Sequence, residues 1–318
     1  MSGRRDLADG PTCSFCGAAE LTQTHSGLYH RRKRNHGPFS FYHCDRCGSG
    51  ITWPPPTAKA LRELYRFFES GLPKGRRKIR SAEALGPWFE HCVEAALGAS
   101  PEGRKASFTW LDVGAGAGEV SELLSRRCPA AQGVAVDLHE RPADLPDRSN
   151  LGWERCDVNE VGFSARLSHR ADIVLAISVW EHVLDPSALV RDLLALLRPA
   201  GTLYLACPDF GSLARRLLRT RWPFFLPGEH LNMPTIEGTR RCLESGLDGS
   251  AWRREEASLR IRRIGLPYSV QYYLQYLGLR RLSGLVPPSL AVAFPAGALE
   301  ATVTVGAQTT SATSRAVW

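Results

Sequence analysis

Trp110-Leu111-Asp112-Val113-Gly114-Ala115-Gly116-Ala117-Gly118-Glu119 is the stretch on which the fold of this 318-residue chain turns. The apolar run leading into it, Ser107 to Val113, spells a buried strand, and Glu119 to Arg127 carries the spacing of a helix. Three alternating glycines lie between, where a missing Cβ lets the backbone turn sharply and approach a ligand. The next strand, Gly133 to Asp137, ends in a carboxylate about twenty residues downstream, placed to accept both hydroxyls of a ribose. Gly-x-Gly-x-Gly is not the Gly-x-Gly-x-x-Gly spacing that cradles a pyrophosphate on a helix N-terminus. Asp112 precedes the first glycine by two residues; it would repel a pyrophosphate and suits a nucleoside that bears a positive charge.

Outward from this turn, strands and helices alternate. Ala171 to Ser178 and Thr202 to Cys207 read as strands, and Pro186 to Arg198 as an amphipathic helix opened by Asp185-Pro186. Pro234 to Ser245 reads as a helix stopped by Gly246. Leu299 to Val305 alternates as a final strand with Leu299, Ala301, Val303 and Val305 on one face. Such alternation predicts an α/β fold, a mostly parallel sheet with helices on both faces. Upstream, Leu61, Leu64, Tyr65 and Phe68 predict a helix after Thr57, and a second spans Ser81 to Leu97.

The motifs resemble those of class I SAM-dependent (S-adenosylmethionine-dependent) methyltransferases, in particular the bacterial small-molecule group. Asp112 to Gly118 matches the first motif of that family and Asp137 the second. Arg155-Cys156-Asp157-Val158 matches the third, and Ile177-Ser178-Val179-Trp180-Glu181-His182 the fourth, with Trp180 where leucine is usual. Leu197 to Leu203 matches the turn before strand five, with Ala200 where glycine is common. The resemblance implies a Rossmann-like sheet of seven strands, the last antiparallel. It implies SAM as cofactor, held by Asp112, Gly114, Ala115, Gly116, Gly118, Asp137, Leu138, Asp157, Val158 and Ser178.

The front of the chain differs. Cys13-x-x-Cys16 and Cys44-x-x-Cys47 are two knuckles able to give four thiolates to one structural zinc. Cys92, Cys128, Cys156, Cys207 and Cys242 are scattered, so disulfides are not expected. Four nearby histidines (His25, His30, His36, His43) read as surface residues. Residues 1–80 carry 15 Lys+Arg against 6 Asp+Glu, whereas residues 81–318 carry 25 against 26. The main domain is therefore near neutral, which argues against a nucleic-acid groove across it. The basic loop Arg31 to Arg34 is either solvated or a collector of acidic, phosphate-bearing acceptors. No apolar run reaches the ~18 residues of a membrane span, and Met1 to Asp6 does not look like a secretory signal, so a cytoplasmic chain without a membrane partner is expected. The expected organisation is a zinc-ribbon module (1–56), a helical linker or cap (57–104), the methyltransferase domain (105–307) and a flexible tail (308–318).

For chemistry, His182 is the first candidate base, with Glu181 orienting it or the substrate. Capping of the following helix is an equal alternative for His182. His230, in Glu229-His230-Leu231, is the second candidate. It follows Trp222 to Gly228, an aromatic segment that reads either as a flap over the acceptor or as core packing. Tyr268, Tyr272, Tyr273 and Tyr276 are assigned to a helix between the last two strands, in the core or in a homodimer contact. The leading expectation is methyl transfer to an oxygen or carbon of a secondary metabolite or a sugar or glycan precursor. The alternatives are an RNA methyltransferase and a non-catalytic protein that binds SAM or a partner.

Overall fold

The computed structural model describes residues 10–31, 34–69, 82–105, 107–160, 162–167, 169–276, 279–287 and 290–307. In chain order the elements are β1 (Leu21–Arg31), β2 (Arg34–Cys44), β3 (Gly50–Trp53), α1 (Ala58–Glu69), α2 (Ala82–Ala99), β4 (Thr109–Val113), α3 (Glu119–Arg127), β5 (Gln132–Asp137) and β6 (Leu151–Arg155). There follow β7 (Ala171–Ile177), α4 (Pro186–Ala195), β8 (Leu197–Pro208), α5 (Leu213–Leu218), β9 (Asn232–Met233), α6 (Ile236–Asp248), β10 (Ser258–Ser269), α7 (Val270–Tyr276), α8 (Arg280–Ser283) and β11 (Ala291–Thr304).

Seven strands form one sheet in the order β10-β11-β8-β7-β4-β5-β6. β4 pairs parallel with β5 and with β7, and β5–β6 and β7–β8 are also parallel. β11 runs antiparallel to both β8 and β10. The sheet is the seven-stranded, mostly parallel Rossmann-like arrangement that the sequence implies. Period-two alternation sorts each strand between two cores. Val174 and Ala176 of β7, with Leu203, Leu205 and Cys207 of β8, join α4 and α6 on one face. Ile173, Leu175 and Ile177, with Tyr204 and Ala206, join α2 and α3 on the other.

The local stops differ in places from those read in the sequence. α4 begins as expected, with the Asp185 carboxylate accepting from the Ser187 and Ala188 N–H groups at 2.9 and 3.0 Å. It ends at Ala195 because Leu197 is already paired with Ala171 in the sheet. Gly246 is not a helix stop. It lies inside α6, and a Cβ there would meet Val190 Cγ1 at 2.4 Å, so its job is to let α6 close on α4. Ala200 sits at φ 62, in the left-handed region, which explains why glycine is common at this turn. The tyrosines divide: Tyr268 falls in β10, and Tyr273 on α7 packs against the α2–α3 core.

The front of the chain forms a second sheet, β1-β2-β3-β9. The long β1–β2 hairpin joins the two cysteine knuckles, and Phe39 and Phe41 alternate inward along it. Its last strand, β9, comes from far downstream: Gly50 pairs with Met233 and Ile51 with Asn232. The basic tetrad lies at the hairpin tip, where residues 32 and 33 and the side chains of Arg31 and Arg34 are outside the described residues, as is the 308–318 tail.

Candidate functional site

β4 is the strand at which the connection order reverses, and an open α/β sheet leaves a crevice for ligands beyond such a point. The loop after β4 carries Gly114, Gly116 and Gly118 at φ 77, 59 and 82, all in the left-handed region. A Cβ on Gly114 would meet Val179 Cγ2 at 2.4 Å, so this glycine lets the loops after β4 and β7 touch. A Cβ on Gly116 would meet nothing within 4 Å, so that backbone faces open space. Ala115 donates its N–H to Val136, fixing the loop to β5.

Acidic groups ring this opening. Asp137, buried at the end of β5, accepts from the Gly116 N–H at 2.8 Å through Oδ2 and from the His139 N–H at 3.0 Å through Oδ1. Leu138 beside it is half-buried. Asp112 is 2% exposed, and burial pushes its carboxyl up to about 7, against the Ser121 hydroxyl that donates to it at 2.6 Å. A cationic group nearby would offset that burial cost and restore the carboxylate. Asp157, after β6, accepts from the Asn159 N–H at 2.9 Å and from the Arg62 guanidinium at 3.3 Å. Val158 packs against the α4–α6 core, and Ser178 is exposed at φ 55 on the end of β7. The arrangement fits a cationic nucleoside: an open glycine backbone, a strand-end carboxylate for a ribose and, among the described residues, no cluster of cations for phosphates.

Glu181, His182 and His230 come together next to this loop, with one ligand atom of each within 4.8 Å of the others. The imidazole rings of His182 and His230 meet edge to face at 4.8 Å. His182 Nδ1 lies 3.0 Å from the Glu229 carbonyl and His230 Nδ1 lies 2.8 Å from the Phe224 carbonyl. A carbonyl only accepts, so each Nδ1 carries a proton, and in its neutral form either ring bears its lone pair on Nε2. Glu181 is 2% exposed, its Oε2 has no hydrogen-bond partner, and burial pushes it up to about 8. Oε1 stands 3.9 Å from His182 Nε2, beyond hydrogen-bond reach. Asp185, not His182, caps α4. The aromatic segment divides as well: Trp222 and Phe225 are buried with Phe41 and Phe210, whereas Phe224 is only partly buried.

The four cysteines form the other site. Cys13 Sγ and Cys47 Sγ are 3.6 Å apart, as are Cys16 Sγ and Cys44 Sγ, and all four lie within 4.8 Å of one another. Zinc–sulfur bonds of ~2.3 Å in a tetrahedron need sulfurs roughly 3.8 Å apart, so the four thiolates fit one structural zinc. The hydrogen bond from Cys13 pulls Cys47 down to about 5, against burial, and burial raises Cys16 to about 11. His25 and His43 stay outside the cluster: His43 Nδ1 faces Asp45 at 3.6 Å.

Several residues at these sites carry no local sequence signal. Asn232 donates to the Val183 carbonyl at 2.6 Å and accepts from the Ser14 hydroxyl at 2.7 Å, linking the first knuckle to the loop that holds His182. Thr235 donates to the Cys47 carbonyl at 2.6 Å, and Ser187 to the Ser14 carbonyl at 2.8 Å. Tyr65 of α1 donates to the His182 carbonyl at 2.9 Å. Trp180, where leucine is usual, packs against the first cysteine knuckle. Phe15 stands edge-on to its indole at 5.4 Å, and its Nε1 donates to the Pro186 carbonyl at 3.0 Å.

A family model described as a methyltransferase domain matches residues 59–246, more than half of the chain, and the chain belongs to that family. Among curated proteins it is similar to the ubiquinone biosynthesis O-methyltransferase of Leptothrix cholodnii, 33% identical over 152 residues, 46% of this chain and 62% of that protein. A protein of the same name from Coxiella burnetii is 28% identical over 100 residues, 30% of this chain and 42% of that one. The chain thus spans about two fifths to three fifths of the length of these relatives. Among solved structures, the plantazolicin methyltransferase BpumL, in complex with a monoazolic desmethylPZN analog and SAH, aligns with TM-score 0.51 at 17% identity. That alignment covers 78% of this chain and 98% of BpumL, and it bears on the fold.

Proposed function

We propose that the protein transfers a methyl group from SAM to an oxygen or carbon of a small-molecule acceptor, a secondary metabolite or a sugar or glycan precursor. The observation that carries this reading is the meeting of Glu181, His182 and His230 beside the open glycine loop. SAM would supply an electrophilic methyl group on a sulfonium. Asp137 and Leu138 hold the ribose side, Asp157 and Val158 the adenine side, and Asp112 faces the cationic amino-acid end, with Gly114, Ala115, Gly116, Gly118 and Ser178 forming the floor. Alignment of acceptor with methyl provides much of the acceleration. A hydroxyl or acidic carbon must also lose a proton, and Nε2 of His182 or of His230 takes it, with Glu181 orienting His182 or the substrate. The O-methyltransferase relatives favour oxygen as the acceptor atom.

In this reading residues 1–56 are a metal-stabilised module, 57–104 cover the cofactor through Arg62 and Tyr65, 105–307 carry the chemistry and 308–318 are a tail. Calorimetry with SAM and with its demethylated product tests the cofactor: Asp137→Ala weakens binding by about tenfold or more. With a hydroxylated acceptor in hand, His182→Gln lowers kcat and leaves SAM affinity unchanged. Wild-type protein that binds neither SAM nor its product ends this reading.

A further inference from the structure

Nine large apolar side chains are exposed among the described residues, and every one falls in one of two stretches, 210–228 or 257–299. Neither stretch contains an Asp or Glu, although residues 81–318 carry 26 of them. The same two stretches hold nine arginines: four in the first and five in the second. Exposed leucines and arginines alternate along α5, where Leu213, Leu217 and Leu218 stand beside Arg216, Arg219 and Arg221. On and after α8, Leu282 and Leu285 are 49% and 80% exposed beside exposed Arg281. Removing these nine cations leaves the rest of residues 81–318 with 16 Lys+Arg against 26 Asp+Glu. Of the nine, Arg262 and Arg263 pair with Glu300 and Asp209 at the borders of the stretches, whereas Arg216, Arg219, Arg221 and Arg281 are exposed.

The two stretches are neighbours. α5 packs along β11, the Asp209 N–H donates to the Gly297 carbonyl, and Phe224 and Tyr273 pack against the same core. The face also adjoins the candidate chemistry. The carbonyl of Leu226, itself exposed, accepts the N–H of His230 at 2.8 Å.

We propose that this face docks the protein peripherally on an anionic lipid bilayer, with the leucines of α5 and α8 in the headgroup boundary and Arg216, Arg219, Arg221 and Arg281 on lipid phosphates. Leucine and arginine interleaved along and just after a short surface helix that carries no acid is the chemistry of such binding. No helix among the described residues is long and apolar enough to cross a membrane, so the contact is with a surface. A second copy is disfavoured by the charges, because a twofold interface would set the same arginines against themselves. The inference is independent of the methyl-transfer reading, and its test reads binding alone.

The test uses the full zinc-loaded chain and cosedimentation with vesicles of phosphatidylcholine, alone or mixed with phosphatidylglycerol. Binding is expected to the mixed vesicles, at least about tenfold weaker to phosphatidylcholine alone, and to fall as salt is raised. Leu217→Glu with Leu285→Glu should lose about tenfold or more, with melting temperature unchanged. Arg216→Gln with Arg219→Gln, a milder surface change, should weaken binding to the mixed vesicles without abolishing folding. Absence of binding to the anionic vesicles overturns the proposal. So does equal binding by wild type and both variants, or a wild-type dimer in light scattering that the leucine substitutions dissociate while vesicles are ignored.

Discussion

Trp180→Leu would install the residue that the methyltransferase family usually carries, and it should destabilise this chain severely. Trp180 is 1% exposed and is among the largest fully buried side chains. Truncating a core Trp or Phe to Ala costs about 3–5 kcal/mol, and a leucine refills part of that space, leaving about 2 kcal/mol. Loss of the hydrogen bond from Nε1 to the Pro186 carbonyl adds about 1 kcal/mol. Loss of the edge-on contact with Phe15 adds about 1 kcal/mol more. The total of about 4 kcal/mol corresponds to a fall in Tm of roughly 6 °C for a protein of this size. Urea and thermal unfolding of zinc-loaded Trp180→Leu, Phe15→Leu and the double variant would measure it, and the cycle should return a coupling of about 1 kcal/mol. A Trp180→Leu variant within about 1 kcal/mol of wild type, or strict additivity with Phe15→Leu, would refute the reasoning that the ribbon and the β7 loop are packed as one body.

Three further outcomes are expected. Asp112 and Glu181 are pushed from 3.8 and 4.5 to about 7 and about 8, so the folded chain keeps two protons that the unfolded chain has lost. The stability they contribute is complete below about pH 4 and is lost as pH rises through 7 and 8; Asp112→Asn with Glu181→Gln should flatten the decline of Tm between about pH 5 and 8. Ala200→Gly should stabilise by about 0.5–1 kcal/mol, because φ 62 costs an alanine more than a glycine; an unchanged or lower denaturation midpoint would contradict this. Zinc analysis should find about one metal per chain, and a strong chelator should lower the Tm of the whole chain in one transition, since Ser14, Cys47, Asn232 and Thr235 tie the cluster to the main sheet. A main transition that is indifferent to chelation would show the cluster to be an appendage.

The central fold was legible because its signals are local. Glu119 to Arg127 was read as a helix and is α3 residue for residue, and the strands at Gly133, Ala171 and Thr202 were located to within a few positions. β6, with four of its five residues at least partly exposed, and β10, rich in arginine, have too little apolar content to announce themselves. The β1–β2 hairpin carries little apolar pattern: its inward residues are few, and two irregularities in register break the alternation. At the candidate site, the side chains on the loops after β4, β5 and β7 follow recognisable motifs. The contacts that join them, such as Asn232 to Ser14 and Tyr65 to His182, link residues 218 and 117 positions apart, beyond any local pattern. Trp180 shows the gap well: its departure from leucine is visible in the sequence, but its contact with Phe15, 165 positions away, is not.

β9 has a consequence for how the chain must be made. A ribosome delivers Gly50–Trp53 long before Asn232 and Met233, and Ser49 waits for a hydroxyl partner 186 positions later. Until then the knuckles can gather zinc while β3 presents an unpaired edge, open to other strands. Maturation therefore finishes at the front of the chain only after most of the rest exists. A version cut before residue 232 would hold metal with its last seam open, so the cysteine module cannot be moved to another protein as a cassette unless a substitute for Asn232–Met233 travels with it.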